Sequence, residues 1–111
     1  MKAAVLYAKN DIRIEEIEVP ELKPNEVLVK VKATGICGSD LPRVLGNSAH
    51  YYPIVLGHEF SGVVEKVGTD VTKVREGDRI AGAPLLPCHE CPYCLRGDYA
   101  LCNNYSFIGS R

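Results

Sequence analysis

Glu26-Val27-Leu28-Val29-Lys30-Val31-Lys32-Ala33 is the clearest structural signal in this chain. Its apolar residues fall at 27, 29, 31 and 33 and alternate with mostly polar ones, the period-two pattern of a strand buried on one face. The same periodicity recurs on both sides. Upstream, residues 2–7 and 12–19 read as strands with a turn at Asn10-Asp11, and Pro20 and Pro24 break the chain before residue 26. Downstream, residues 60–67 read as a strand closed by Gly68-Thr69-Asp70, and residues 78–82 as another after Glu76-Gly77. Between these sets lie a short helical turn, with Ser39 or Asp40 as its N-cap, and a loop over residues 46–53. Short strands punctuated by Gly and Pro predict a mainly β fold, a small barrel or sandwich. No helix of ordinary length, internal repeat or low-complexity tract stands out.

Length and composition bound what this fold can do. A chain of 111 residues suits one domain, which at this size buries roughly 65% of its unfolded surface. Thirteen basic residues against fourteen acidic ones give a net charge of −1, and aromatics make up only 7%. That balance disfavours nucleic acid and anionic membranes as partners. The first apolar run, residues 3–8, is shorter than a secretory core and ends at Lys9-Asn10-Asp11. No segment has the apolar length of a bilayer span, so a cytoplasmic protein is the expectation.

Four of the five cysteines, Cys88, Cys91, Cys94 and Cys102, lie within fifteen residues as C-x2-C-x2-C-x7-C. This excursion, over about 84–104, has too few apolar residues for a core of its own. Four thiolates close a tetrahedral Zn²⁺ shell with no position left for water, a structural site. Metal binding then supplies the missing folding free energy, as much as about 10–16 kcal/mol in isolated zinc-finger peptides. Spacing alone leaves two other fillings open. Disulfides are disfavoured in a reducing compartment. An iron–sulfur cluster matches the first three cysteines, but Cys102 comes after seven residues and is followed by Asn103 rather than Pro.

Cys37, set between Gly35 and Gly38, and His58 in Gly57-His58-Glu59 are the place to look for a second, open metal site. Taken singly, such a cysteine is a small buried hydrophobe and such a histidine a hydrogen-bonded structural residue. A cysteine nucleophile paired with His58 is a further reading. A metalloprotease helix is excluded, because Gly62 stands where the second histidine belongs.

Gly35-Ile36-Cys37-Gly38-Ser39-Asp40, Gly57-His58-Glu59-Phe60-Ser61-Gly62-Val63-Val64, Val74-Arg75-Glu76-Gly77-Asp78-Arg79-Ile80 and the four-cysteine lobe occur in this order and spacing. Together they resemble the N-terminal part of the zinc-dependent medium-chain alcohol and polyol dehydrogenases, over essentially the whole chain. The resemblance implies a GroES-like, partly open β-barrel over residues 1–111, with the zinc lobe inserted. It also implies oxidation of a sugar alcohol, galactitol 1-phosphate among the candidates, to a ketose with NAD.

Within that family Cys37 and His58 correspond to two ligands of a catalytic zinc, and Glu59 lines the site, approaching the metal as water or substrate exchanges. Ser39 corresponds to the residue that hydrogen-bonds the substrate hydroxyl. Asp40 accepts from the outer ring nitrogen of His58, fixing its tautomer. The chemistry needs such a metal, because a carbinol releases hydride readily only once its oxygen has lost its proton, and Zn²⁺ lowers the pKa of bound water from 15.7 to about 7.

The family also sets expectations this sequence does not meet by itself. Its remaining catalytic ligand, typically Glu or Cys, and its nucleotide-binding domain lie downstream, and no G-x-G-x-x-G occurs in these residues. The chain is therefore expected to be part of a longer, homo-oligomeric enzyme and inactive alone. Many relatives place a relay histidine five residues after the catalytic cysteine, where Pro42 stands here. His50 is a substitute relay, a polyol contact or a structural loop residue. Arg43 is either a contact for a substrate phosphate or an exposed arginine on a helical turn. The rival to the whole enzyme reading is a non-enzymatic, zinc-stapled β module for protein interaction.

Overall fold

The computed structural model describes residues 1–111. Its elements are β1 (Lys2–Ala8), β2 (Asp11–Glu16), β3 (Val27–Thr34), α1 (Leu41–Leu45), β4 (Ile54–Val55), β5 (Phe60–Val67), β6 (Arg79–Ala81), β7 (Leu85–Leu86), α2 (Pro92–Leu95), a 3₁₀ turn at Tyr99–Leu101, and β8 (Ser106–Phe107). No helix is long and apolar enough to cross a membrane.

All pairing is antiparallel. One sheet has the order β2-β1-β4, a second β3-β5-β6, and β7 pairs with β8 alone. The fold is mainly β, and these sheets do not close into a barrel. The β1–β2 turn forms because Asn10 accepts a left-handed φ of 62°, a conformation asparagine tolerates better than most residues. β4 is too short to carry a period in sequence, yet it pairs Ile54 with Leu6 and Val55 with Val5.

Leu6 and Val64 are the two fully buried side chains, and Val5 and Ile54 complete the small apolar core with them. The alternation seen at residues 27–33 is only half expressed, since Val27 and Val29 are partly covered while Val31 and Ala33 are exposed. The β3–β5 register shifts twice, with Glu65 the extra residue on β5 and Lys32 the extra residue on β3. The second bulge re-aims β3 from Ala33 onward, whereas Val31 precedes it and keeps the phase of Val27 and Val29. The accessible surface is 7947 Å², against about 6,100 Å² for a folded monomer of this mass. The radius of gyration is 15.3 Å, where about 13 Å is usual for this length. Large apolar faces, including Ile14, Ile36 and Leu95, are left in water.

The β3–β5 ladder positions the site. Thr34 lies opposite Phe60, and Gly35 N–H donates to Glu59 O at 2.8 Å, carrying the pairing one step past the strand. The chain leaving β3 and the chain entering β5 therefore share one end of the sheet.

Candidate metal centre and cavity

At that end the loop after β3 folds back on itself. Asp40 N–H donates to Cys37 O at 2.9 Å, and Asp40 Oδ2 accepts from Cys37 N–H at 3.1 Å. Asp40 thus holds the N-cap position of α1 without capping it through its side chain, because the carboxylate is turned toward the Cys37 loop. Ser39 Oγ lies 3.3 Å from Cys37 Sγ and 3.5 Å from His58 Nε2. The donor atoms of Cys37, His58 and Glu59 all lie within 4.8 Å of one another.

His58 is buried, and its two ring nitrogens have separate surroundings. Nε2 faces Ser39, while Nδ1 faces Asp40 Oδ1 at 3.6 Å. That distance lies just outside a hydrogen bond, so the bond expected from the sequence is not made. Both atoms are sealed from solvent and neither makes a hydrogen bond. The Phe107 ring packs against the imidazole in a T-shaped arrangement, with centroids 5.4 Å apart. Glu59 is more exposed, and its carboxylate lies over Gly35, where a Cβ would come within 2.3 Å of Oε2. Only glycine leaves that carboxylate its place.

Arg43 corrects the reading of an exposed arginine. Its side chain is 16% exposed. Nη1 donates to Ser39 O at 2.6 Å and Ser39 Oγ at 2.9 Å, and lies 3.6 Å from Asp40 Oδ1. Ser39 Oγ therefore has one lone pair committed, which leaves its own proton for the interior. Cys37, Ser39, Arg43, His50, His58 and Phe107 help line a cavity of about 570 Å³. His50 reaches it from the exposed loop before β4.

The four-cysteine lobe lies between β7 and β8. Its four Sγ atoms lie within 4.8 Å of one another, with Cys88 and Cys94 at 3.9 Å. Zn–S bonds of 2.3 Å in a tetrahedron require about 3.8 Å between sulfurs, so the donor set fits one such ion. All five cysteines are free thiols. Backbone amides point at the sulfurs: Cys88 N–H and Asn104 N–H donate to Cys102 Sγ, and Cys91 N–H to Cys88 Sγ. The amides of Asn103 and Cys94 pull the Cys91 thiol down to about 6, and that of Cys88 lowers Cys102. Burial pushes Cys94 up to about 12. A cation would offset that opposition.

Residues 23–110 match the family model of the alcohol dehydrogenase GroES-like domain. The chain belongs to the alcohol dehydrogenase GroES-like domain family. Among relatives of this GroES-like domain, galactitol 1-phosphate 5-dehydrogenase of Escherichia coli strain K12 is 52% identical, over 100% of this chain and 32% of that protein. A crystal structure of galactitol-1-phosphate dehydrogenase from Escherichia coli superposes with a TM-score of 0.96, again at 52% identity, 100% of this chain and 32% of that one. Sorbitol dehydrogenase of Bombyx mori is 49% identical over 90% of this chain and 30% of its own length. A short chain alcohol dehydrogenase from Escherichia coli CFT073, complexed with NADH, superposes with a TM-score of 0.91 at 39% identity, covering 99% and 32%. The chain thus spans about a third of the relatives it matches.

Two features of this GroES-like domain's site were not legible as function beforehand. Phe107 belongs to a two-residue strand with no periodic signature. Arg43 reads in sequence as a phosphate contact or an exposed arginine, and its actual i to i+4 contact with Ser39 across the start of α1 is neither of these.

Proposed function

We propose that residues 1–111 are the metal-holding part of the catalytic domain of an oxidoreductase that oxidises sugar alcohols to ketoses with NAD. The observation that carries this reading is the convergence of Cys37, His58 and Glu59 within 4.8 Å beside a cavity that Ser39 also lines. Three donors leave room for an exchangeable position, as a catalytic site requires. The lobe, at about 84–104, is the closed structural zinc site of this reading, held by Cys88, Cys91, Cys94 and Cys102.

When bound at Cys37 and His58, zinc supplies the positive charge that lets a hydroxyl ionise near neutral pH. Ser39 Oγ would hydrogen-bond the substrate hydroxyl beside that position. Arg43 holds Ser39 in place for that contact. Asp40 stands behind His58, 3.6 Å from Nδ1, while Nε2 is turned toward Ser39. Glu59 would be the third donor at that position, its carboxylate within 4.8 Å of the Cys37 and His58 donor atoms.

Galactitol 1-phosphate is the proposed substrate and NAD the proposed hydride acceptor, supported by the relatives' names and the NADH-bound neighbour. The nucleotide domain and a further metal ligand lie outside these residues in this reading, and the intact enzyme is a cytoplasmic homo-oligomer. The test measures zinc content and initial rates for the intact protein containing these residues, using galactitol 1-phosphate, galactitol and sorbitol with NAD⁺ and NADP⁺. Two zinc ions per chain, with the highest kcat/KM on the phosphorylated polyol and NAD⁺, is the expected result. One zinc and no turnover on any polyol would overturn the reading.

A further inference from the structure

Gly109 and Gly57 make a backbone contact that leaves no room for a side chain. Gly109 has φ +65°, and a Cβ built there would sit 1.8 Å from Gly57 O and 2.6 Å from Gly57 C. Gly57 has φ +121° and donates its N–H to Gly109 O at 3.3 Å. Gly57 immediately precedes His58, so any displacement of its peptide moves the imidazole at the next Cα.

The segment carrying Gly109 is tied down on its other side. Phe107 pairs with Leu85 and Ser106 with Leu86, and Ile108 N–H donates to Pro84 O at 3.0 Å. Ser110 is buried, and its N–H donates to Phe107 O at 3.2 Å. β7 ends two residues before Cys88 and β8 begins four residues after Cys102, so this pair closes the base of the four-cysteine lobe. The same short turn also packs the Phe107 ring against His58.

We infer that Gly109 is a positioning residue for His58, and that through the Gly109–Gly57 contact and Phe107 the four-cysteine lobe holds the second donor cluster in register. The physical basis is that a close-packed backbone contact has nowhere to relax. A methyl at residue 109 must push Gly57 away, and the donor set of Cys37, His58 and Glu59 opens with it. The inference rests on the reading of those three residues as metal-holding.

The test uses the intact protein, stripped of metal and titrated with Zn²⁺ and with Co²⁺. Cobalt charge-transfer absorption grows with the number of bound thiolates, so a four-sulfur site and a one-sulfur site are told apart. Gly109→Ala is compared with Gly77→Ala, which carries the same kind of backbone strain at φ +89° but has nothing within 4 Å of its Cβ. Wild type and Gly77→Ala are expected to bind two ions. Gly109→Ala is expected to keep the four-thiolate spectrum and to lose at least tenfold in affinity at the second site. Phe107→Leu, a milder change, is expected to weaken the second site several-fold, and it decides the matter if Gly109→Ala does not fold. Second-site affinity within threefold of wild type in the folded variants would overturn the inference. A wild type that binds one ion, with only the four-thiolate spectrum, would instead remove the second metal site and the inference with it.

Discussion

His58 Nδ1 and Asp40 Oδ1 face each other across 3.6 Å, both sealed from solvent and neither satisfied by a hydrogen bond. Such a pair is costly unless it closes. It is poised to do so when Nε2 is engaged on the opposite side, since a carboxylate behind a ligating histidine raises its basicity. Asp40→Asn keeps the shape and removes the charge. Second-site zinc affinity is expected to fall about 10–100-fold, read by competition with a chelator of known affinity, while the four-thiolate site is unchanged.

Ser39→Ala is expected to retain both metals and to lower kcat by about 10²–10⁴, the range for removing a positioned proton-transfer group. Ser39→Thr keeps the hydroxyl and should recover most of the rate. Equal zinc content and equal rates in wild type and the alanine variant would take Ser39 out of the reaction.

Gly35→Ala places a methyl where the Glu59 carboxylate now lies. The same loss of kcat as Glu59→Gln is expected, and the double variant should be no worse than either alone, because neighbours sharing one function are not additive. Additive losses in steady-state kinetics would show that Gly35 and Glu59 act separately.

Zinc uptake by the lobe should depend on pH in a direction set by its thiols. Cys91 and Cys102 are shifted below a free thiol by backbone amides. The stability their thiolates contribute to the metal-free fold is complete above the unfolded thiol range, and for Cys91 it is lost as pH falls through about 6. Cys94, raised to about 12 by burial, favours the metal-free fold while protonated and must release its proton to bind. At pH 7.5 zinc binding should therefore release fewer than four protons, with Cys91 supplying the shortfall. Calorimetry in buffers of different ionisation enthalpy measures the count. Affinity should drop steeply below pH 6 as protons compete for the sulfurs.

The run at 12–19 pairs only as Asp11–Glu16, while β1, β3 and β6 shift by a residue at one or both ends from their sequence pattern. Phe60–Val67 was readable to the residue, because alternation and a closing glycine mark it independently of packing. β4, β7 and β8 were not, since two residues carry no period and their pairing depends on distant chain. The extent of burial was not readable either. Val31 fits a buried face in sequence, yet it is 50% exposed, because a period marks a face without supplying the layer that covers it. At the site, residue identities alone pointed to Cys37 and to Gly57-His58-Glu59, and the roles of Ser39, Asp40 and Glu59 came from the family resemblance. The proximity of Gly109 to Gly57 joins positions 52 residues apart in sequence, and no local pattern announces it.

The Thr34–Phe60 pairing has a consequence for folding. Cys37 hangs three residues beyond one partner and His58 two residues before the other, so a slip of a single position along this ladder would slide one thiol about 3.3 Å from its imidazole and invert the alternation of every side chain behind it. An ion captured between them would then act as a gauge of correct strand alignment, rewarding the one arrangement in which both arms of the ladder end level.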